Sequence, residues 1–332
     1  MLMFESELQM PPGWTASVEE DGRGHARYRS PDGTIDLAYY ELLPGVLLTN
    51  IDLACRTLPA FNPLGSSLAT INWCVSGRCE VDFGERGSFV VSEDTLCVSS
   101  SLARRFSYPT HAYRGFEVFL DFEHIGDEGW ALFGSLGLTE QALRAALLPD
   151  ELGVNLRPSG QLLEAVRSLR DELELAEPRT PWLVLRLCQL LMALSEADLA
   201  SIGSRATYLR RGQRDIAQLV YQHIVDHPAP VVGLSGLART LGTSEASLRS
   251  YFERMYGQTP AAFARSCALA KGAELLRTSD LPVAEVSQAC GYANPSKFSA
   301  AFRREYGANP LEYRRRSRLS EFAPAHETKG IV

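Results

Sequence analysis

The sequence predicts an α+β multidomain chain: an antiparallel β domain first, a helical middle segment next, and an all-α domain at the end. Three observations carry this. Short apolar stretches separated by turn residues fill the part from Ile35 to Phe122. Helical periodicity replaces them after Gly126. A degenerate repeat with an offset of 50 residues occupies the C-terminal third.

The β part comes first. Its expected strands are Ile35–Leu43, Val46–Leu53, Leu68–Val75, Cys79–Phe83, Ser88–Val91, Thr95–Ser99 and Gly115–Phe122. In the last, Phe116, Val118, Leu120 and Phe122 alternate with Glu117 and Asp121, and Phe119 breaks the pattern. Short strands at this spacing indicate a sandwich or a barrel. Ser76-Gly77 reads as a hairpin turn. An odd loop there pairs Val75 with Cys79, sets Ile71, Trp73 and Val75 on the inward face with Val81 and Phe83, and turns Cys74 away. Parity makes Tyr40, Trp73 and Phe116 candidates for lining an interior ligand site, although ordinary core aromatics would show the same pattern.

Cysteine and histidine argue against metal and redox chemistry. The seven cysteines are scattered and odd in number, which reads as buried thiols rather than a disulfide framework. There is no Cys-x-x-Cys pair, and the six histidines form no ligand-spaced cluster. No metal, cofactor or catalytic residue is therefore expected.

The helical segment carries two stripes. Leu162, Val166, Leu169 and Leu173 form one; Trp182, Leu183, Leu187, Leu190, Leu191 and Leu194 form the other. One stripe suits packing on the β domain, and a heptad-like second stripe suits a subunit seam, although packing within the chain could use both. The run Trp182–Leu194 contains Arg186 and Gln189 and is too short to span a bilayer. The opening residues, Met1 to Trp14, hold acids and paired prolines instead of a basic start and apolar core, so a cytoplasmic location is expected. Ser201 to Gln213, with Gly203 and Gly212 among Arg205, Arg210 and Arg211, reads as a linker.

The repeat is the sharpest signal. Leu248, Phe252, Tyr256, Gly257, Pro260 and Phe263 recur as Phe298, Phe302, Tyr306, Gly307, Pro310 and Tyr313. Gly242 and Gly291 stand before the two copies at an offset of 49, one residue having slipped in the turn. Each copy reads as a short helix, a tight turn at glycine, and a longer helix, which is a helix-turn-helix plan. Leu237 and Leu241 mark the inner face of the first short helix. Ser244 is a good N-cap for the helix after it, and Pro295 suits the first turn of its counterpart. Leu248, Tyr251, Phe252 and Met255 line one buried stripe; Phe298, Ala301, Phe302 and Tyr306 line the other. The outer face of the second copy shows Ser296, Lys297, Ala300, Arg303 and Arg304.

Charge separates this region from the rest. Residues 205–318 hold 17 Lys and Arg against 9 Asp and Glu, whereas residues 1–204 hold 15 against 29. A basic module on an acidic chain (net −7 overall) is the footprint of phosphate binding.

The stretch from about Asp215 to Arg316 resembles the DNA-binding domain of AraC/XylS-type transcription regulators. The second motif of that family is met by Val283 to Tyr292, then Ser296, Phe298, Phe302, Arg303, Gly307, Pro310, Tyr313 and Arg314. The first is met by Leu237, Ala238, Leu241, Gly242, Ser244, Leu248, Phe252, Gly257 and Pro260. Ala268 and Ala300 depart from it, since the family often has basic residues at both places.

The resemblance implies two helix-turn-helix motifs joined by a linker helix, roughly Pro260 to Arg277, and recognition helices entering successive major grooves. It further implies a cupin-like β-barrel binding a small-molecule effector at residues 1–130, a helical dimerisation segment at 131–200, a linker at 201–213, the DNA-binding domain at 214–318 and a disordered tail at 319–332. The implied partners are double-stranded DNA, a second copy of the chain and, for an activator, RNA polymerase; no membrane is implied. Helix faces assign phosphate contacts to Arg249, Arg254, Arg303 and Arg304, and base-edge contacts to Glu245, Ser247, Ser250, Asn294, Ser296 and Lys297. An alternative enzyme class, an alkyl-DNA repair regulator with a zinc-held cysteine, is not supported by the spacings from Cys55 to Cys97.

Overall fold

The computed structural model describes residues 14–322, apart from 20–21, 31–32, 56, 59–67, 85–86, 101–104, 149–152, 198–207 and 231. The chain divides into two compact units, Met1–Gly212 and Gln213–Val332.

The first unit is built on an antiparallel sheet. Its strands are β1 (Trp14–Val18), β2 (Arg23–Ser30), β3 (Gly33–Leu43), β4 (Val46–Ala54), β5 (Thr57–Leu58), β6 (Leu68–Asp82), β7 (Ser88–Ser92), β8 (Leu96–Ser100), β9 (Arg105–Ser107), β10 (Tyr113–Asp121), β11 (Gly153–Leu156) and β12 (Tyr208–Leu209). The main path runs β1-β2-β3-β4-β10-β6-β7-β12. Among the described residues this pairing does not close into a ring.

β6 organises the sheet. Its first half pairs with β10 and β8, and its second half pairs with β7 and β9. The hairpin expected at Ser76-Gly77 is absent, because the chain continues as one strand through both residues. Gly77 serves a bend instead of a turn: its φ is +89°, and a Cβ there would lie 2.1 Å from the Ala112 carbonyl oxygen. The partner strand shifts register nearby, between Arg114 and Gly115.

The bend gives the sheet two buried faces. On one, Tyr40, Leu48, Ile71, Trp73, Phe116 and Val118 pack against α1 (Asp127–Ser135), α2 (Glu140–Leu147), α3 (Gly160–Leu173) and α4 (Thr180–Glu196). On the other, Ile35, Ile51 and Cys74 from the first half meet Cys79, Val81 and Phe89 from the second. Contrary to the register a hairpin would impose, Cys74 shares a cluster with Cys79, while Ile71 and Trp73 face the opposite way. The reason is that the chain bends here and does not reverse.

Both helical stripes form, and both are spent within the chain, so the second is not free to serve as the expected subunit seam. Leu162, Val166, Leu169 and Leu173 are all buried, as are Leu183, Leu187, Leu190, Leu191 and Leu194. Trp182 is the exception. It lies on the outer face of α4 with Leu185 and Met192, its ring flanked by the Arg179 and Arg186 guanidiniums. Most of the expected linker lies outside the described residues; its last part forms β12 and the start of α5 (Arg211–Asp226).

The second unit is helical: α5, α6 (Leu234–Thr240), α7 (Glu245–Tyr256), α8 (Pro260–Thr278), α9 (Val283–Ala289), α10 (Pro295–Tyr306) and α11 (Pro310–Phe322). The repeat builds the same ring triad twice. Phe252 lies 4.5 Å from Tyr256 and 5.6 Å from Phe263, and Phe302 lies 4.5 Å from Tyr306 and 5.2 Å from Tyr313 (centroid distances). Gly257 and Gly307 close the two longer helices in the left-handed conformation. In the first short helix, Leu234 and Ala238 are the buried residues, and the expected Leu237 and Leu241 are only half-buried. α11 runs on to Phe322; the remainder of the expected disordered tail lies outside the described residues.

Candidate nucleic-acid interface

The two longer helices of the repeat, α7 and α10, present different outer surfaces. α10 begins at Asn294, whose Oδ1 accepts hydrogen bonds from the Ser296 and Lys297 backbone N–H groups at 2.8 and 3.4 Å. That cap satisfies two N–H groups that the helix itself leaves unpaired. It also engages Asn294 Oδ1 inside the helix, so the residue has a structural duty that the helix-face assignment did not foresee.

Beyond the cap, Phe298 and Phe302 point inward and are fully buried. Ser296, Lys297, Ala300, Arg303 and Arg304 are exposed. No described residue forms an ion pair with Lys297, Arg303 or Arg304, so three cations face solvent along one short helix. Ala300 stands among them, and its small side chain leaves that surface open to close approach. Ala268, the other departure from the family pattern, is buried in α8 and packs there as an ordinary small core residue.

α7 differs. Ser244 caps it, its Oγ accepting from the Ser247 backbone N–H at 3.1 Å and lying 2.9 Å from the Ser247 hydroxyl. Leu248, Phe252 and Met255 are buried. The exposed stripe is Ala246, Arg249, Ser250 and Glu253. Glu245 is half-buried; one carboxylate oxygen accepts from the Ser235 hydroxyl of α6, and the other lies 3.3 Å from Arg249 Nη2. Arg254 is also half-buried. Its Nη2 donates to Gln213 Oε1 at 3.4 Å, and its guanidinium lies 5.5 Å from the Tyr251 ring centroid. Of the five residues expected on this helix, the fold brings Arg249 and Ser250 to the surface and engages Glu245, Ser247 and Arg254 locally. Ser235 escaped the sequence reading altogether. Its partner sits ten positions away across a turn, a relationship that helical spacing does not encode.

In the first unit, Tyr40, Trp73 and Phe116 are buried between the sheet and its covering helices. Trp73 Nε1 meets no acceptor among the described residues. Phe116 borders a small cleft with Asn50, Val75, Arg114, Arg170 and Glu174.

The opposite face carries a polar row in register across five strands: Thr49, Glu117, Asn72, Cys97 and Asn155. The Tyr113 hydroxyl donates to Asn72 Oδ1 at 2.5 Å, and Asn72 in turn hydrogen-bonds the Glu117 carboxyl group. Desolvation pushes the Glu117 pKa up to about 7, with the Asn72 bond opposing it. The same burial pushes the Cys74 and Cys97 thiols up to about 12, so they stay protonated and poorly nucleophilic. Sequence reasoning passed over Glu117 because an acid alternating with apolar residues reads as solvent-facing. Here both faces of the strand are covered.

Among the described residues, no group of three or more His, Cys, Asp or Glu side chains could hold a metal ion. No described helix is long and apolar enough to cross a membrane.

A family model described as a helix-turn-helix domain matches residues 237–316. The RCS-specific HTH-type transcriptional activator RclR of Escherichia coli (strain K12) is 29% identical over 158 residues, which are 47% of this chain and 56% of that protein. The HTH-type transcriptional activator RhaS of Escherichia coli O139:H28 (strain E24377A / ETEC) is 28% identical over 178 residues, 51% of this chain and 61% of that one. The chain thus spans a little over half the length of the curated relatives it matches. Among solved structures, the C-terminal domain of AraT, a response regulator from Geobacillus stearothermophilus, is 28% identical, with 34% of this chain and 94% of that one covered and a TM-score of 0.31. Residues 237–316 are thus a helix-turn-helix domain of the kind that family model describes.

Proposed function

We propose that this chain is a sequence-specific DNA-binding transcription regulator, controlled by a small-molecule effector. The observation that carries the first half is the surface of α10, where Lys297, Arg303 and Arg304 are exposed and without an ion-pair partner among the described residues, on the basic part of an otherwise acidic chain. Such a surface suits a groove lined by phosphates. In this reading α6–α7 and α9–α10 are two helix-turn-helix motifs and α8 is the linker helix between them. Arg303 and Arg304 contact phosphate, and Ser250, Ser296 and Lys297 reach base edges. Asn294, Ser247 and Arg254 act by holding their helices in place.

The domain plan proposed from the sequence is kept: a cupin-like sensing domain at 1–130, a helical dimerisation segment at 131–200, a linker at 201–213 and the DNA-binding domain at 214–318. The effector site is assigned to the first unit, with Tyr40, Trp73 and Phe116 as its candidate lining and Phe116 bordering the cleft shared with Asn50, Arg114 and Glu174. Homodimerisation is assigned to the outer face of α4, where Trp182, Leu185 and Met192 are exposed. RNA polymerase is a partner if the chain activates transcription.

Genome-wide mapping of the full-length chain on DNA tests this reading. Recurrent sites sharing one sequence motif are expected. Occupancy that follows DNA accessibility with no shared motif would overturn it, and genes beside true sites would narrow the effector.

A further inference from the structure

We propose that Arg249 is the base-reading residue of the α6–α7 pair, that it reads a guanine, and that Glu245 is its positioning residue with Ser235 holding Glu245 in place. This rests on the DNA-binding reading above. The helix-face assignment had the roles reversed, with Arg249 on phosphate and Glu245 on a base edge.

The geometry argues for the exchange. Arg249 is exposed, with Ala246 three residues before it and Ser250 beside it on the same stripe, both small enough to let the helix settle close to a base edge. Glu253 is the other long side chain of that stripe. Glu245 is half-buried and already engaged at both carboxylate oxygens, one with the Ser235 hydroxyl and one with Arg249 Nη2 at 3.3 Å. A carboxylate occupied on both sides is poorly placed to accept from a base, but well placed to fix a guanidinium.

An exposed Glu–Arg pair one helical turn apart adds little to stability. Its effect here is on freedom. A long side chain loses rotamer entropy when it docks, and a side chain already held in its docking pose loses less. Arg carries five N–H donors in a planar fork, so one bond to Glu245 leaves enough for a bidentate contact with guanine O6 and N7.

The second pair cannot repeat this. Fifty residues on from Glu245 stands Pro295, and fifty on from Arg249 stands Ser299. The relay therefore distinguishes the two halves of the DNA contact: a fixed guanidinium in the first, free cations in the second.

The test is binding-site selection with the full-length chain, comparing wild type with Arg249→Ala, Glu245→Ala, Glu245→Gln and Ser235→Ala, and measuring the salt dependence of binding for each. Arg249→Ala is expected to lose guanine preference at one position and about 10-fold in affinity for the selected site. Glu245→Ala should relax the same position without the lost affinity for random DNA and the shallower salt slope that removal of a phosphate contact gives. Glu245→Gln, which still offers an oxygen acceptor, should restore much of the preference, and Ser235→Ala should show the Glu245→Ala effect more weakly. Unchanged preference in Arg249→Ala with a shallower salt slope would make Arg249 a phosphate contact and overturn the proposal. So would a Glu245→Ala effect at a different base position, because Glu245 would then be reading DNA itself. A wild-type chain that selects no sequence would sink the DNA-binding reading and this inference with it, whereas normal wild-type selection with an unaltered Arg249→Ala sinks this inference alone.

Discussion

Gly272 on α8 faces the ring of Phe298 on α10 so closely that a Cβ at residue 272 would lie 2.9 Å from two ring carbons. Phe298 is fully buried, and Cys290 Sγ closes the space at 3.3 Å. The two helices can approach this far because the crossing point carries no side chain.

Gly272→Ala should therefore destabilise the domain by about 1 kcal/mol. Helix propensity favours alanine by about 1 kcal/mol, but displacing a fully buried ring outweighs it. Gly272→Val adds a Cβ and two methyl groups against a ring with nowhere to go, and should cost about 3 kcal/mol. Thermal unfolding of the full chain followed by circular dichroism checks this; a Val variant as stable as wild type would mean that the helices part easily.

Arg303→Ala and Arg304→Ala together should weaken binding to all DNA sequences alike. Each phosphate contact contributes roughly 0.9 to the slope of log affinity against log salt, so the double variant should flatten that slope by about 2. Lys297→Ala should behave differently, changing base preference at one half of the site at a cost of about 1–3 kcal/mol. Fluorescence anisotropy across a salt series separates the two outcomes.

Glu117→Gln should flatten the pH dependence of stability. A glutamate in an unfolded chain titrates near pH ~4.3. In the fold desolvation raises Glu117 to about 7. Over that window the folded state binds the proton more tightly than the unfolded one. The contribution of this group is thus complete below the lower value and lost as pH rises through the upper one. Urea unfolding between pH 4.5 and 7.5 should show wild type losing on the order of 1–3 kcal/mol relative to the variant. Parallel curves would mean that Glu117 titrates as it does in water.

Leu185→Glu should leave the chain folded and monomeric. Leu185 is 46% exposed, so a charge there disturbs no core, but beside Trp182 and Met192 it would repel a second apolar face. Sedimentation velocity checks it; an unchanged dimer would place the seam elsewhere.

The C-terminal unit was largely legible in the sequence because its signals are local. Glycines after apolar stripes, Ser244 and Pro295 at helix starts, and the 50-residue offset each report on neighbours within a few turns. The linker helix expected at about Pro260 to Arg277 runs from Pro260 to Thr278. Which polar side chains stay free was less legible. Arg254 looked like a surface cation until Gln213, 41 residues earlier, proved to be its neighbour. The sheet was harder still. Gly77 reads the same whether it turns the chain or bends it, and only the partner strands decide. Once a turn was assumed, Cys74 was turned away from Cys79 and the two halves of the strand were given one common inner face, whereas they bury opposite ones.

α8 touches both ring triads of the repeat. Phe263, near its start, belongs to the first; Leu269, Ala273 and Leu276, further along, pack in one cluster with Phe302 of the second and with Phe298. Nineteen residues at 1.5 Å each make a rod of about 28 Å. The interval between the two halves of the domain is consequently a covalent length, counted in residues and seated at both ends. Such a ruler cannot stretch. In the proposed reading, a DNA site with one base pair added between its two contacted segments has to twist to fit, because the protein has no slack to give.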